Sequence, residues 1–167
     1  MKRVAVIGPP GAGKSTFAKA LASKTGLPLI HLDYYHLDSK HDYPHNHDAW
    51  NKLVLELAEQ DEWIMEGNYG ATYNERFNRA DTIIYLDCPR RTAIASILKR
   101  RIKYHHKPRT EMPEDWKEKF DWGFIKYAWK FPGASTDKIK AHLHEQPTNK
   151  VVILKSREEA ENYIKLI

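Results

Sequence analysis

Residues 2–16 read KRVAVIGPPGAGKST, and the order of residues in this stretch decides the fold. Val4, Ala5, Val6 and Ile7 form a short apolar run rich in β-branched side chains, the pattern of a central parallel strand covered on both faces. Gly8, Gly13, Lys14 and Ser15 then match G-x-x-x-x-G-K-[ST]. Glycines at these places let the backbone bend until successive N–H groups point inward at an anion. Gly8, Pro9, Pro10, Gly11, Ala12, Gly13, Lys14, Ser15 and Thr16 are therefore the candidate cradle for nucleotide phosphates. Lys14 is placed to reach the β- and γ-phosphates and Ser15 to offer its hydroxyl to Mg²⁺, while the start of the next helix adds a fixed positive partial charge. Phe17, Ala18, Leu21 and Ala22 give that helix an apolar stripe, which Gly26 and Pro28 close. A glycine-rich turn with a lysine is weak evidence by itself; a strand before it and a helix after it make the spacing specific.

The chain has 167 residues, a length that fits a single domain able to bury its own core. Its one cysteine, Cys88, excludes a disulfide framework and a thiolate zinc cluster, and fits a reducing compartment. No apolar run approaches the roughly 20 residues that span a bilayer, and the first residues read as a core strand, so a soluble cytoplasmic protein is expected. A net charge of +5 suggests anionic partners, a demand that nucleotide phosphates already meet in part.

Leu27 to Leu32 read as a second strand ending at Asp33, on the edge of the sheet where parallel folds bind their ligands. The polar, aromatic segment after it and a helix opened by Asp48, with Trp50, Leu53, Val54, Leu57 and Ala58 on one face, together suggest a substrate-covering flap at about 34–60. His31, His36, His41, His45 and His47 crowd this region without the spacing of a metal site, as solvated loop residues or hydrogen-bond donors to substrate. Tyr34, Tyr35 and Trp50 either stack on a ligand ring or pack the loop.

Trp63, Ile64 and Met65 make a third strand ending in Glu66, a Walker-B-like carboxylate placed to orient Mg²⁺ through its water shell. Arg76 follows in a polar segment, within possible reach of a transferring phosphate. Asp81 to Asp87 supply a fourth strand, and Pro89 starts a helix whose ends and following loop carry Arg90, Arg91, Lys99, Arg100, Arg101, Lys103, Lys107 and Arg109. This cluster, at about 100–116, is a candidate lid over a triphosphate. Pro113 opens a further helix whose aromatic stripe, Trp116, Phe120, Phe124, Tyr127 and Phe131, suits core packing better than base stacking. Ser135 is a candidate cap for a short helix ending before Pro147. Val151 to Leu154 form a fifth strand, and Ser156 to Glu159 a capping box for a last helix with Ala160, Tyr163, Ile164 and Ile167 on its apolar face. Arg157 and its neighbours lie on the ligand edge, where they could flank an adenine ring.

Five strands alternating with helices, a phosphate loop after the first, a flap after the second and a basic lid after the fourth resemble the adenylate-kinase-like group of small P-loop kinases. The strings HLD (His31 to Asp33), WIMEGNYG (Trp63 to Gly70), ADTIIYLD (Ala80 to Asp87), LKRR (Leu98 to Arg101) and WKFP (Trp129 to Pro132) resemble, more narrowly, the bacterial DNA topology modulation proteins. The resemblance implies a three-layer α/β/α fold with a five-stranded parallel sheet in the order 2-3-1-4-5. It further implies ATP on Gly8 to Thr16, Mg²⁺ at Ser15 and Glu66, lid arginines Arg100, Arg101 and Arg109 on the phosphates, and Arg157 near adenine.

One departure narrows the acceptor. Kinases of this group that act on monophosphates hold the acceptor phosphate with a flap arginine, and residues 33–60 contain none, only Lys40 and Lys52. A hydroxyl acceptor positioned by Asp33 thus becomes an option beside a phosphate. The expected activity is ATP- and Mg²⁺-dependent phosphotransfer to a small molecule. The rivals are a nucleotide-regulated DNA-binding protein, for which no helix-turn-helix, zinc finger or basic region is present, and an ATPase switch without acceptor.

Overall fold

A strand that is apolar on both faces must be covered on both faces, which in a chain of alternating strands and helices means a parallel sheet between helical layers. The computed structural model has this form and describes residues 1–104, 112–113, 122–131, 133–147 and 150–167. The elements in order are β1 (Arg3–Ile7), α1 (Lys14–Thr25), β2 (Leu29–His31), α2 (Leu32–His36), α3 (His47–Ala58), β3 (Trp63–Glu66), a 3₁₀ turn (Gly70–Thr72), α4 (Tyr73–Arg79) and β4 (Thr82–Leu86). They continue with α5 (Arg90–Lys103), α6 (Trp122–Lys130), α7 (Ala134–His144), β5 (Val151–Leu154) and α8 (Arg157–Leu166). The sheet order is β2-β3-β1-β4-β5, all parallel, as the family resemblance implied. Crossing from one neighbour of β1 to the other places the loop after β1 at the point where the strand order reverses, the usual ligand crevice of such sheets.

Strand alternation divides the core in two. Ala5 and Ile7 of β1 face one way with Met65, Ile83 and Tyr85, under Val54, Phe77 and Leu143 of α3, α4 and α7. Val4 and Val6 face the other way with Ile64, Ile84 and Leu86, under Phe17 and Leu21 of α1 and the partly buried Tyr163 of α8. Each large apolar side chain taken fully out of water here contributes about 2 kcal/mol, so the central strand is pinned from both sides. Gly26 ends α1 in the left-handed conformation at φ 75°, its N–H donating to the Ala22 carbonyl.

Several local boundaries differ from the sequence reading. β2 is three residues long, and Leu32, fully buried, already belongs to α2, so Asp33 stands in a first helical turn rather than at a strand end. Within the flap segment, Trp50 is 3 % exposed and packs edge-on to His36 and against Tyr69, so this side chain is core. α3 begins at His47, not Asp48, because the Asn46 side chain accepts from the Ala49 N–H at 3.0 Å. α7 is preceded by Gly133 at φ 146° and has no side-chain cap, which removes Ser135 from that role. In α8 the Ser156 hydroxyl accepts from the Glu159 N–H at 3.0 Å, while the Glu159 carboxylate reaches back one residue further than expected, to the Lys155 N–H at 2.7 Å.

Asp81, just before β4, clamps the beginning of β1: its Oδ2 accepts from the N–H groups of Lys2 at 2.6 Å and Arg3 at 3.0 Å, and its Oδ1 from the Thr82 hydroxyl at 2.7 Å. Partial burial raises its pKa, but the Arg3, Thr82 and Lys2 donors outweigh that and hold the carboxyl below its ordinary value. A depressed folded-state pKa contributes stability that is complete above the unfolded value and disappears as pH falls through the folded one. Denaturant melts below about pH 4 should therefore show wild type losing its margin over Asp81→Asn, and a margin independent of pH would refute the clamp.

Candidate active site

The loop after β1 can close on itself only through glycine. Gly11 sits at φ 80° and Gly13 at φ 95°, conformations that L side chains rarely adopt. A Cβ on Gly11 would also collide with the Ala93 carbonyl and lie 2.9 Å from Ile97 Cγ1, so the loop is seated directly on α5. Gly11→Ala is expected to cost about 2 kcal/mol or more of unfolding free energy, read from the denaturant midpoint, since it combines backbone strain with overpacking. The same close seating leaves Pro10 to Thr16 on the wall of a large cavity.

Lys14 folds back across the loop, donating to the Gly8 carbonyl at 2.9 Å and the Pro9 carbonyl at 3.2 Å. Burial pushes its ammonium pKa down and nearby Arg100 adds to that, while Glu66 and Asp33 draw it up. Gly8 and Pro9 thus serve the lysine from behind the wall rather than lining it. The Gly8 N–H donates to Asn68 Oδ1 at 3.2 Å, tying the loop to the end of β3.

Glu66, 2 % exposed, closes β3 directly opposite His31 in the β2–β3 register. Its Oε1 accepts from the Ser15 hydroxyl at 3.0 Å and from His31 Nδ1 at 2.7 Å. Burial would raise its pKa; the His31 hydrogen bond, Lys14 and Ser15 more than compensate, so the carboxylate stays ionised. A hydroxyl and a carboxylate oxygen side by side at the cavity wall form a hard oxygen donor set that fits Mg²⁺, which takes few protein ligands and keeps its waters. His31 supports that carboxylate from the far side, a role the crowd of flap histidines concealed.

Asp33 lines the same cavity, and the Tyr69 hydroxyl donates to its Oδ1 at 2.7 Å. Tyr69 is held with φ 42° and ψ 66°, the one non-glycine residue at positive φ among the described residues. Its ring packs on Trp50 at 4.8 Å and His36 at 4.7 Å, and burial together with Asp33 raises its phenol pKa, keeping it a neutral donor.

Arg76 is the clearest correction. It is fully buried, not aimed at a phosphate: Nη1 donates to the Gly67 carbonyl at 2.8 Å, Nη2 to those of Asn68 and Tyr69, and Nε to that of Thr72 at 3.3 Å. Burial lowers its pKa to about 10, so it remains protonated at neutral pH. Its guanidinium holds the segment that carries Glu66, Asn68 and Tyr69.

Among the lid residues, Arg100 lines the cavity with Lys99 and Lys103, whereas Arg101 does not. Arg109 and Lys107 lie outside the described residues. Arg157 lines the α8 side, with its Nη2 donating to the Ser96 hydroxyl. The aromatic stripe of α6 is core in part: Phe131 is buried as expected, but Tyr127 is exposed and lines the cavity with Phe124. The stripe's earlier members, Trp116 and Phe120, lie outside the described residues. Among the described residues no helix is long and apolar enough to cross a membrane, and no three His, Cys, Asp or Glu side chains converge on a metal-sized site.

Fold and site together define a kinase-like P-loop NTPase: a three-layer α/β/α sheet in 2-3-1-4-5 order with the loop, lysine and strand-end carboxylate at its crevice. Residues 4–88, half of the chain, match the model of the ATPase family associated with various cellular activities (AAA), and the chain belongs to that family. An adenylate kinase of Thermotoga neapolitana is 28% identical over 123 residues, covering 69% of this chain and 54% of its own. A shikimate kinase of Parabacteroides distasonis is 40% identical over 60 residues, 36% of this chain and 31% of its own. The chain thus spans about half the length of the adenylate kinase it matches. Among solved structures, a shikimate kinase from Bacteroides thetaiotaomicron superposes with a TM-score of 0.58 at 20% identity, covering 99% of this chain and 95% of the other.

Proposed function

We propose that the protein is a phosphotransferase that passes the terminal phosphoryl group of Mg²⁺-bound ATP to a small-molecule acceptor. One observation carries the reading: a cavity of about 1240 Å³ is lined at once by the loop with Lys14, by Glu66 and by Asp33. A single small ligand fills roughly 300–1,000 Å³, so there is room for a donor and an acceptor together.

The proposed roles draw on that lining. Loop N–H groups and Lys14 bind the donor phosphates, Ser15 and Glu66 would hold Mg²⁺, and Arg157 stands on the side assigned to adenine. Mg²⁺ bound there neutralises charge on the phosphate oxygens. The acceptor oxygen forms a bond to the γ-phosphorus as the bond to the bridging β–γ oxygen breaks and ADP leaves. Asp33, oriented by Tyr69, holds the acceptor and takes its proton. Lys14 and Arg100 stabilise the charge spread over the transferring oxygens. In such transfer, positioning and charge neutralisation supply most of the acceleration.

The strings that resemble DNA topology modulation proteins, Trp63 to Gly70 and Leu98 to Arg101, contribute Glu66, Asn68, Tyr69 and Arg100 to this arrangement. We propose that the chain is a member of that group and that its chemistry is that of a kinase. Three cations of α5, Lys99, Arg100 and Lys103, line the cavity, which gives this part of the basic charge a use without nucleic acid.

Coupled ADP-release assays over pools of small acceptors test the proposal. Acceptor-dependent turnover is expected, falling by about 10²–10³-fold in Asp33→Asn. Turnover independent of any acceptor and indifferent to Asp33→Asn would instead mark an ATPase switch.

A further inference from the structure

We infer that the Asp33 side of the cavity is a subsite for an uncharged molecule that joins a planar ring to a hydroxyl-bearing part, the chemistry of a nucleoside, and that Phe124 and Tyr127 hold the ring. The inference rests on the phosphotransferase reading and adds to it the class of acceptor.

Shape is the first ground. Phe124, Tyr127 and Phe131 fall at i, i+3 and i+7 on one face of α6 and its end, with ring centroids 6.3 and 5.7 Å apart. The stripe divides by depth: Phe131 is 3 % exposed and anchors α6 to the sheet core, whereas Tyr127 is 49 % exposed while lining the cavity. A large aromatic face left uncovered inside a concave site is matched by a ligand with a flat apolar face. Tyr69 gives a third ring, fixed in place by Trp50, His36 and its hydrogen bond to Asp33. Tyr127 lies within the field of Asp33, which with burial raises its phenol pKa, and Tyr73 in turn feels Tyr127. The aromatic wall and the carboxylate therefore belong to one region.

Charge is the second ground. Neither Lys40 nor Lys52, the only cations of the flap other than its histidines, lines the cavity, and the charge just before the flap that does line it is the Asp33 carboxylate. An acceptor phosphate or carboxylate would meet repulsion at that place, whereas a hydroxyl meets an acceptor for its hydrogen. The cations Lys99, Arg100 and Lys103 come from α5, beside the phosphate loop. Lys138 of α7 also reaches the wall, from an exposed position, and is the residue a phosphate-bearing acceptor would need.

The test follows labelled γ-phosphate from ATP into three separate pools: nucleosides, nucleoside monophosphates and non-aromatic hydroxy acids and sugars. Transfer to the nucleoside pool is expected. Tyr127→Ala should raise KM for that acceptor about tenfold, with a smaller loss in kcat, and Tyr127→Phe should restore it. Phe124→Leu serves as a second, milder cut into the same wall, and ADP affinity measured on each variant separates a lost subsite from a lost fold. Transfer confined to monophosphates and abolished by Lys138→Ala would overturn the inference and leave phosphotransfer standing, as would transfer only to non-aromatic acceptors. An unchanged KM in Tyr127→Ala and Phe124→Leu overturns the aromatic wall. No transfer to any pool by a protein that still binds ADP overturns both readings.

Discussion

Lys14→Ala is expected to lower turnover about 10²–10³-fold and to weaken nucleotide binding by a similar factor, with no loss of thermal stability in the nucleotide-free protein. The two halves of that result have one cause. The ammonium is partly buried against the loop and donates to two carbonyls, at 2.9 and 3.2 Å. Burial lowers its pKa, so protonation of Lys14 at neutral pH works against the folded state, and deleting the charge removes that cost. Bound phosphate reverses the balance, because a desolvated cation interacts most strongly with an anion brought to it. Calorimetric titration with ADP and a thermal melt on the same preparation check both parts. Lys14→Arg should not rescue binding, since a planar fork cannot replace a point charge directed at two carbonyls. A variant that loses stability in step with binding would mean that Lys14 acts as a structural strut.

Arg76→Ala is expected to cost about 3 kcal/mol or more, and to take activity with it even in the fraction that remains folded. The guanidinium serves four carbonyls between Gly67 and Thr72, and among its described contacts there is no carboxylate. Truncation therefore strands buried acceptors and opens a cavity at once. Arg76→Lys supplies charge without the fork, so it should recover part of the stability and little of the geometry. Urea melts give the first quantity. The second shows as a fall in kcat/KM larger than the unfolded fraction explains, and activity tracking the folded fraction alone would contradict a positioning role.

The phosphate loop, its strand and its helix were legible because they are local: spacing within 15 residues fixes both the backbone path and the chemistry. Glu66 was legible for a similar reason, as a carboxylate at the end of an apolar strand. Arg76 was not, because its partners are backbone carbonyls, which every residue carries and no pattern marks. Arg100 and Arg101 lie on adjacent directions of one helix, and only the seating of Gly11 on Ala93 shows which of them meets the cavity. The α6 stripe shows the same limit: helical spacing reveals that Tyr127 and Phe131 share a face, but a cavity wall and a core produce the same period. His31 was seen as one histidine among five, and its meaning depends on a register set across strands β2 and β3.

The segment from Glu66 to Tyr69 touches three parts of the site: Ser15 through Glu66, the first loop glycine through Asn68, and Asp33 through Tyr69. Glu66 is fixed by its strand, and the three residues after it by the Arg76 guanidinium. Under the proposed phosphotransfer, the separation between donor and acceptor would rest on this segment and its anchor rather than on the outer helices. Under that proposal, substitutions in α5 and α6 would alter which acceptor fits, while the spacing set by this segment would stay the same.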